Sequence, residues 1–407
     1  MRRLFLDLTS STSTEWNTGV QRVARNLACA CLRNGSRFGT NCRAVHLIPR
    51  RNRFAPLRRL HEKAGLSPGC RTRPSRSPLN SWAEKWNQRT GKVRFQSGDV
   101  LFLPDVCWPY PMIPTLLKAG NRGAVVGWLV YDLIPLRFPG LSEPNNEAVL
   151  GRWLPDSFSA IDFFVGISRA TEEDLWAYFD ERGMRIDRER VGHITLSCGV
   201  AQHANSTMPV RPAARTLFGD QRSPLYLSVG TLEPRKNHLF LLHAFDRLWR
   251  CDSNVQLVIV GRQGWGGAAI EAQIRAHPEF GRRLWLFTDF NDAELSLAYR
   301  RSDALVMTSK AEGFGLPIIE AERDGLHVLA SDIPAHREVA GPDCRFFGLS
   351  APQSLADAVS ADTGQGPKAE RRKPRPGRQA LTTWDDSAAE LFALCRRMVH
   401  LGKRVQA

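Results

Sequence analysis

Ten short apolar runs, each three to seven residues long, alternate with helix-patterned stretches along this chain. In the first half they are Leu4–Leu8, Ala44–Ile48, Val100–Leu103, Ala124–Val130 and Phe163–Ile167. In the second they are Leu225–Val229, Val255–Val260, Leu284–Phe287, Ala304–Met307 and Val328–Ala330. Helical patterns fall between them, for example at Val20–Leu32, Leu239–Arg250 and Asp292–Arg301. Alternation of this kind is the mark of parallel α/β architecture. At 407 residues the chain can build two such domains with full-sized cores.

The polar stretch Cys198–Leu217 has two prolines and no periodicity, and reads as the linker between two Rossmann-like halves. The expected domains are therefore 1–205 and 206–367. A basic linker over 368–383 precedes a terminal amphipathic helix within 384–407, "WDDSAAELFALCRRMV". Residues from about 50 to 95 are too long and too polar for an ordinary loop and read as an excursion from the first domain.

The formal charge of +15 is confined to two places. Thirteen Lys and Arg face only Glu62 and Glu84 between Arg50 and Arg94, and six face Glu370 in Lys368–Arg378. The rest of the chain is close to neutral. A nucleic-acid-binding fold is disfavoured, whereas local attraction to an anionic surface is favoured. Trp82 and Trp86, at i,i+4 spacing within the first basic segment, suit a membrane interface, and a solvated loop is the plain alternative.

No apolar run reaches membrane-spanning length, since the best, Gly123–Leu136, contains Asp132. "MRRLFLDL" starts a strand pattern directly, without a signal-peptide core. Nine cysteines include no CxxC pair and no zinc-ligand spacing, so a cytoplasmic protein without metal is expected.

The chemistry concentrates in "EGFGLPIIE", Glu312–Glu320. The surrounding sequence reads strand, loop, helix, with Pro317 at the first helical turn, where a missing N–H costs nothing. Gly313 and Gly315 free the backbone for close approach to a ligand. The helix N-terminus suits a phosphate, and the carboxylates of Glu312 and Glu320 suit hydroxyl pairs. Phosphate flanked by polyols describes a nucleotide sugar.

Upstream, "LYLSVGTLEPRKNHLFLLHAF" places Arg235 and Lys236 at a turn after a strand and Gly230, where adjacent cations would offset a diphosphate. A solvated helix start is the plain alternative. Thr18 and Gly19 open a helix after the first strand, as a phosphate contact or simply a turn and cap. Tyr131 and Asp132 end a strand at the carboxyl edge, where open α/β sheets bind ligands. Asp132 also suits a backbone N–H. "VGRQGWGG" lacks dinucleotide-binding spacing and reads as a loop.

Together these residues resemble glycosyltransferase family 4, over most of the chain and most strongly from Leu225 to Gly341. The Glu-x7-Glu motif is intact, and "VGTLEPRKN" looks like the family's basic diphosphate loop. "TGVQRVARNL" and "VYDLIP" resemble N-terminal blocks of bacterial polysaccharide glycosyltransferases, and the combination looks most like bacterial O-antigen mannosyltransferases.

The resemblance implies a GT-B fold, two Rossmann-like domains with parallel sheets facing across a cleft, and a metal-independent, retaining hexosyltransferase without cofactor. Glu320 would hold ribose hydroxyls, Glu312 would contact the donor sugar, and Arg235 and Lys236 would clamp the diphosphate. Gly230, Thr231, Gly313, Phe314, Gly315 and Leu316 would line the donor, and Gly19 would approach it from the first domain. A phosphate oxygen would take the acceptor's proton.

The implied partners are a nucleotide-sugar donor, with GDP-mannose first, and a polyprenyl-linked glycan acceptor reached at the inner face of the cell membrane. Two departures stand out. Thr231 occupies a position where many members carry Arg, and Tyr131 one where many carry His. Tyr131 and Asp132 are accordingly assigned only to sugar positioning. The alternatives are a nucleotide-sugar epimerase, or a non-catalytic sugar-nucleotide-binding scaffold.

Overall fold

The computed structural model describes residues 1–13, 19–57, 92–197, 208–219, 223–364 and 374–403. The chain divides into two compact units. The first comprises Met1–Leu136, Asn145–Gly199 and Thr383–Ala407, and the second Arg137–Pro144 and Val200–Thr382.

The first unit holds seven strands: β1 Arg3–Asp7, β2 Asn41–Ile48, β3 Arg53–Pro56, β4 Asp99–Leu103, β5 Val125–Val130, β6 Phe163–Gly166 and β7 Val191–His193. Their order is β3-β2-β1-β4-β5-β6-β7, all parallel except β3, which runs antiparallel to β2. All five residues of β4 and all six of β5 are buried, as a strand covered by helices on both faces requires. Chain order reverses between β1 and β4.

The second unit has six parallel strands: β8 Leu225–Val229, β9 Gln256–Val260, β10 Leu284–Phe287, β11 Ala304–Met307, β12 His327–Ser331 and β13 Arg345–Phe347. Their order is β10-β9-β8-β11-β12-β13, with the reversal between β8 and β11. Such a reversal opens a crevice at the carboxyl ends of the two strands, the ligand position in open α/β sheets.

All ten apolar runs are strands, to within three residues at either end. Three further strands escape the apolar criterion. β3 lies inside the expected excursion: a 3-10 turn at Pro49–Arg51 and left-handed Asn52 fold the chain back on β2, leaving Pro56 at an edge where no ladder donor is needed. β7 and β13 are three-residue edge strands, too short to show a pattern.

The expected linker is corrected in part. Pro212–Gly219 is a helix that buries Ala214 and Phe218, and Arg211 before it is bonded to Asp289 and Glu294 of the second unit. Arg137–Pro144, inside the expected first domain, groups with the second unit. The rest of the linker lies outside the described residues, as do most of the basic excursion, Trp82 and Trp86, and the basic run up to Lys373. The terminal helix Trp384–Leu401 begins in a capping box at Thr383 and buries Leu391, Phe392, Cys395 and Met398 within the first unit.

Candidate active site

The site is built where the second sheet reverses. β8 leads into Gly230, then a 3-10 turn at Pro234–Lys236. Asn237, left-handed at φ 59°, redirects the chain into the His238–Arg250 helix. Gly230 lies close against Lys236: a Cβ there would stand 3.2 Å from the Lys236 side chain, which would have to shift. Gly261, at the end of the neighbouring β9, is more tightly held: its Cβ would fall 1.7 Å from the Gly230 carbonyl oxygen.

The loop after β11 is stitched to that turn through the turn's own carbonyls. Lys310 N–H donates to the Arg235 carbonyl at 2.8 Å, and Thr308 Oγ1 to the Lys236 carbonyl at 2.8 Å. The Glu312 carboxylate is thereby delivered to both cations. Its Oε2 accepts from Arg235 Nη1 at 2.9 Å, and its Oε1 accepts from Lys236 Nζ and from Ser309 Oγ, the latter at 2.8 Å. Arg235 Nε also donates to Glu233 at 2.8 Å.

Burial by itself would raise the Glu312 pKa. Lys236 and Arg235 outweigh that and hold the carboxyl well below the usual range. Burial lowers the Lys236 pKa against the pull of Glu312. His238, buried beside the two cations, is pushed down to about 3 and stays neutral.

After Glu312 the chain passes Gly313 and Phe314 to Gly315, left-handed at φ 110°, which ends at the Leu316–Arg323 helix. Pro317 occupies its first turn as expected, one residue inside the helix start. The Phe314 side chain is buried. Glu320 is also buried and accepts a 2.9 Å bond from the Tyr299 hydroxyl. The two motif carboxylates are thus anchored by separate partners. Leu316 and Thr231 are half-buried.

In the first unit, Thr18 lies outside the described residues, and Gly19 starts its helix with open space where a Cβ would be. Tyr131, expected to position the sugar, is held by backbone carbonyls. Its hydroxyl donates to the Pro104 carbonyl at 2.6 Å and lies 3.2 Å from that of Val20, so its one proton braces β5 against β4. Asp132 accepts from Ile134 N–H at 3.1 Å, the backbone role set out above as its alternative.

Sequence reasoning missed a buried acid pair at the first sheet's own reversal. Asp7 ends β1 and Asp105 follows β4. Thr9 Oγ1 donates to Asp7 Oδ1 at 2.5 Å, and Ser11 N–H donates to Asp105. Burial pushes the Asp7 carboxyl up to about 8 and raises Asp105 too. An acid inside the apolar "RLFLDL" was the available signal.

Residues 215–362 match the family model "Glycosyl transferases group 1". Serotype-specific mannosyltransferase WbdA of Escherichia coli is 29% identical over 363 residues, covering 88% of this chain and 42% of that protein. The chain thus spans about two fifths of the length of the WbdA proteins it matches. O-antigen chain mannosyltransferase B of Escherichia coli is 33% identical over 136 residues, which is 33% of this chain and 34% of that one.

Among solved structures, Anabaena HepE in complex with UDP aligns at TM-score 0.57 and 14% identity, over 98% of this chain and 99% of that one. An α,α-trehalose-phosphate synthase from Burkholderia vietnamiensis aligns at 0.60 and 12%, over 98% and 100%. These likenesses carry the fold, which is GT-B.

Proposed function

We propose, from a group 1 glycosyl transferase domain across residues 215–362 and a GT-B fold, that this chain is a retaining hexosyltransferase using a nucleotide sugar. The observation that carries the reading is Arg235, Lys236 and Glu312 gathered at the β8–β11 reversal. Two cations on one rigid turn meet a diphosphate, and stabilise it most as it departs with full charge. Glu312, kept ionised by them, accepts from donor-sugar hydroxyls. Glu320 holds ribose hydroxyls.

The backbone of Gly313–Leu316 and of Gly230–Thr231 approaches the donor without side-chain obstruction. The acceptor hydroxyl attacks on the face that the leaving group vacates and passes its proton to a phosphate oxygen, so no protein nucleophile is needed. Charge neutralisation by Arg235 and Lys236 replaces a metal, so chelator should leave turnover unchanged.

The mannosyltransferases it resembles make GDP-mannose the first donor to test. The acceptor is a surface-polysaccharide or O-antigen-type glycan on a polyprenyl carrier. Among the described residues no helix is long and apolar enough to cross a membrane. Attraction of the Arg50–Arg94 cations to anionic lipid on the cytoplasmic face would bring the enzyme to such an acceptor.

Thermal-shift screening against GDP-, UDP-, dTDP- and ADP-sugars, then turnover with a lipid-extract acceptor, tests the proposal. Stabilisation by one donor and sugar transfer are expected. Binding without any turnover would leave a scaffold, and acceptor-independent conversion of the donor would indicate an epimerase.

A further inference from the structure

We propose that His336 belongs to the donor-sugar subsite, its Nε2 accepting a hydrogen bond from a hydroxyl of the sugar. The inference rests on the nucleotide-sugar reading above and adds a residue to it. His336 lies in the Pro334–Val339 helix that follows β12, and is fully buried.

Hydrogen-bond bookkeeping determines its tautomer. Nδ1 lies 3.0 Å from the Ser331 carbonyl and 3.1 Å from Ser331 Oγ. The one Ser331 hydroxyl proton is donated to the Ser309 carbonyl at 2.7 Å, and that carbonyl can only accept. Nδ1 therefore carries the ring proton and donates it to Ser331. In the neutral ring, Nε2 is a bare lone pair. Burial lowers the His336 pKa, with Lys236 adding to it and Glu312 opposing, so the neutral ring prevails.

That lone pair has no hydrogen-bond partner among the described residues. An orphaned buried acceptor is costly and calls for an explanation. Its surroundings supply one. The adjacent ring atom Cδ2 is 3.4 Å from where a Gly315 Cβ would stand, so any larger residue at 315 would lie against this edge. Glu312 and Lys236 are near enough to act on the ring electrostatically.

A phosphate presents acceptors and cannot satisfy a lone pair, whereas a hydroxyl can. Ribose and hexose both carry hydroxyls. Of the neighbours here, Lys236 is assigned to the diphosphate, which offers no donor, and Glu312 to the donor sugar, so the hydroxyl is assigned to the hexose.

Calorimetry on the full chain with GDP, GDP-mannose and the four GDP-linked monodeoxymannoses tests this. In the wild type, one monodeoxy donor should bind about tenfold more weakly than GDP-mannose, the loss of one hydrogen bond. In His336→Phe, GDP-mannose should weaken by a similar factor, GDP should bind within about twofold of wild type, and that deoxy donor should no longer be distinguished from GDP-mannose. His336→Gln, which keeps an acceptor, should recover part of the discrimination and repeats the comparison should the Phe variant not fold.

Equal losses for GDP and GDP-mannose would assign His336 to the nucleotide or to the fold and overturn the proposal. Unchanged discrimination in both variants would do the same. A wild-type chain that binds no GDP-, UDP-, dTDP- or ADP-sugar would overturn the donor reading, and this assignment with it.

Discussion

Lys236 bears on both charge and shape at the proposed site. It neutralises a carboxylate buried beside it, and its aliphatic stem covers Gly230. Lys236→Ala would leave Glu312 with Arg235 and Ser309 and remove half of the proposed diphosphate clamp. We expect kcat/KM for the donor to fall by roughly 10²–10³-fold, the scale of losing one preorganised electrostatic contact. Steady-state kinetics checks this, and wild-type rates would remove the residue from the machinery. Glu312 itself titrates below the ordinary carboxylate value of 4.5. Its stabilising pairing is complete above that pH and lost only as pH falls below it.

Asp7 behaves in the opposite sense. Its folded pKa of about 8 lies above the ordinary 3.8, so the folded state holds a proton that the unfolded state has released. This contribution is complete below pH 3.8 and is lost as pH rises towards 8. The unfolding midpoint of the wild type should therefore decline between pH 5 and 8 more steeply than that of Asp7→Asn. Parallel curves in a pH series of thermal melts would refute a protonated Asp7.

At the scale of elements, the Leu316–Arg323 helix is fastened from both sides. Glu320 takes the Tyr299 hydroxyl, while Glu322 accepts from the backbone N–H groups of Gly341 and of Gly377, the latter at 2.8 Å. Gly377 lies near the end of the basic run, and backbone meets backbone there: a Cβ on Gly341 would lie 2.3 Å from the Arg375 carbonyl oxygen. Glu322→Gln would present an amide NH₂ to one of the two N–H donors. A cost of about 1–3 kcal/mol for the unpaired donor should appear as a lower urea midpoint.

At this same scale the ten apolar runs were legible because full burial writes strands as unbroken apolar stretches, and Pro317 announced its helix because φ near −65° suits a first turn. β3, β7 and β13 were not legible. An edge strand has only one neighbour, so little of its sequence is dictated by packing.

For the molecule as a whole, charge is separated from fold. Deleting 58–91 would remove cations without touching any described strand, so turnover with a water-soluble acceptor should persist while affinity for anionic vesicles falls. Each lost cation near the surface is worth about 1 kcal/mol. Vesicle co-sedimentation that does not change on deletion would refute the membrane role. The terminal helix is a different case, because the second end of the chain completes the first unit. Its Ser387 hydroxyl donates to the Thr195 carbonyl at 2.7 Å, and Phe392 stacks on Phe38 at 4.6 Å. Truncation before Thr383 should lower the first unit's unfolding midpoint by several degrees in calorimetry.

The sequence alone determined the alternation of strands and helices, and the local motifs at Arg235–Lys236 and Glu312–Glu320, because burial, turn chemistry and helix starts act on neighbours in the chain. It also determined where the charge lies. Only the tertiary structure decided what those residues touch. Glu312 meets cations more than 70 positions away because β8 and β11 are adjacent at the reversal. Tyr131 spends its proton on Pro104, and His336 acquires a defined tautomer from Ser331 and Ser309. Hydrogen bonds have direction and a single proton each, and those constraints exist only once distant segments have been brought together.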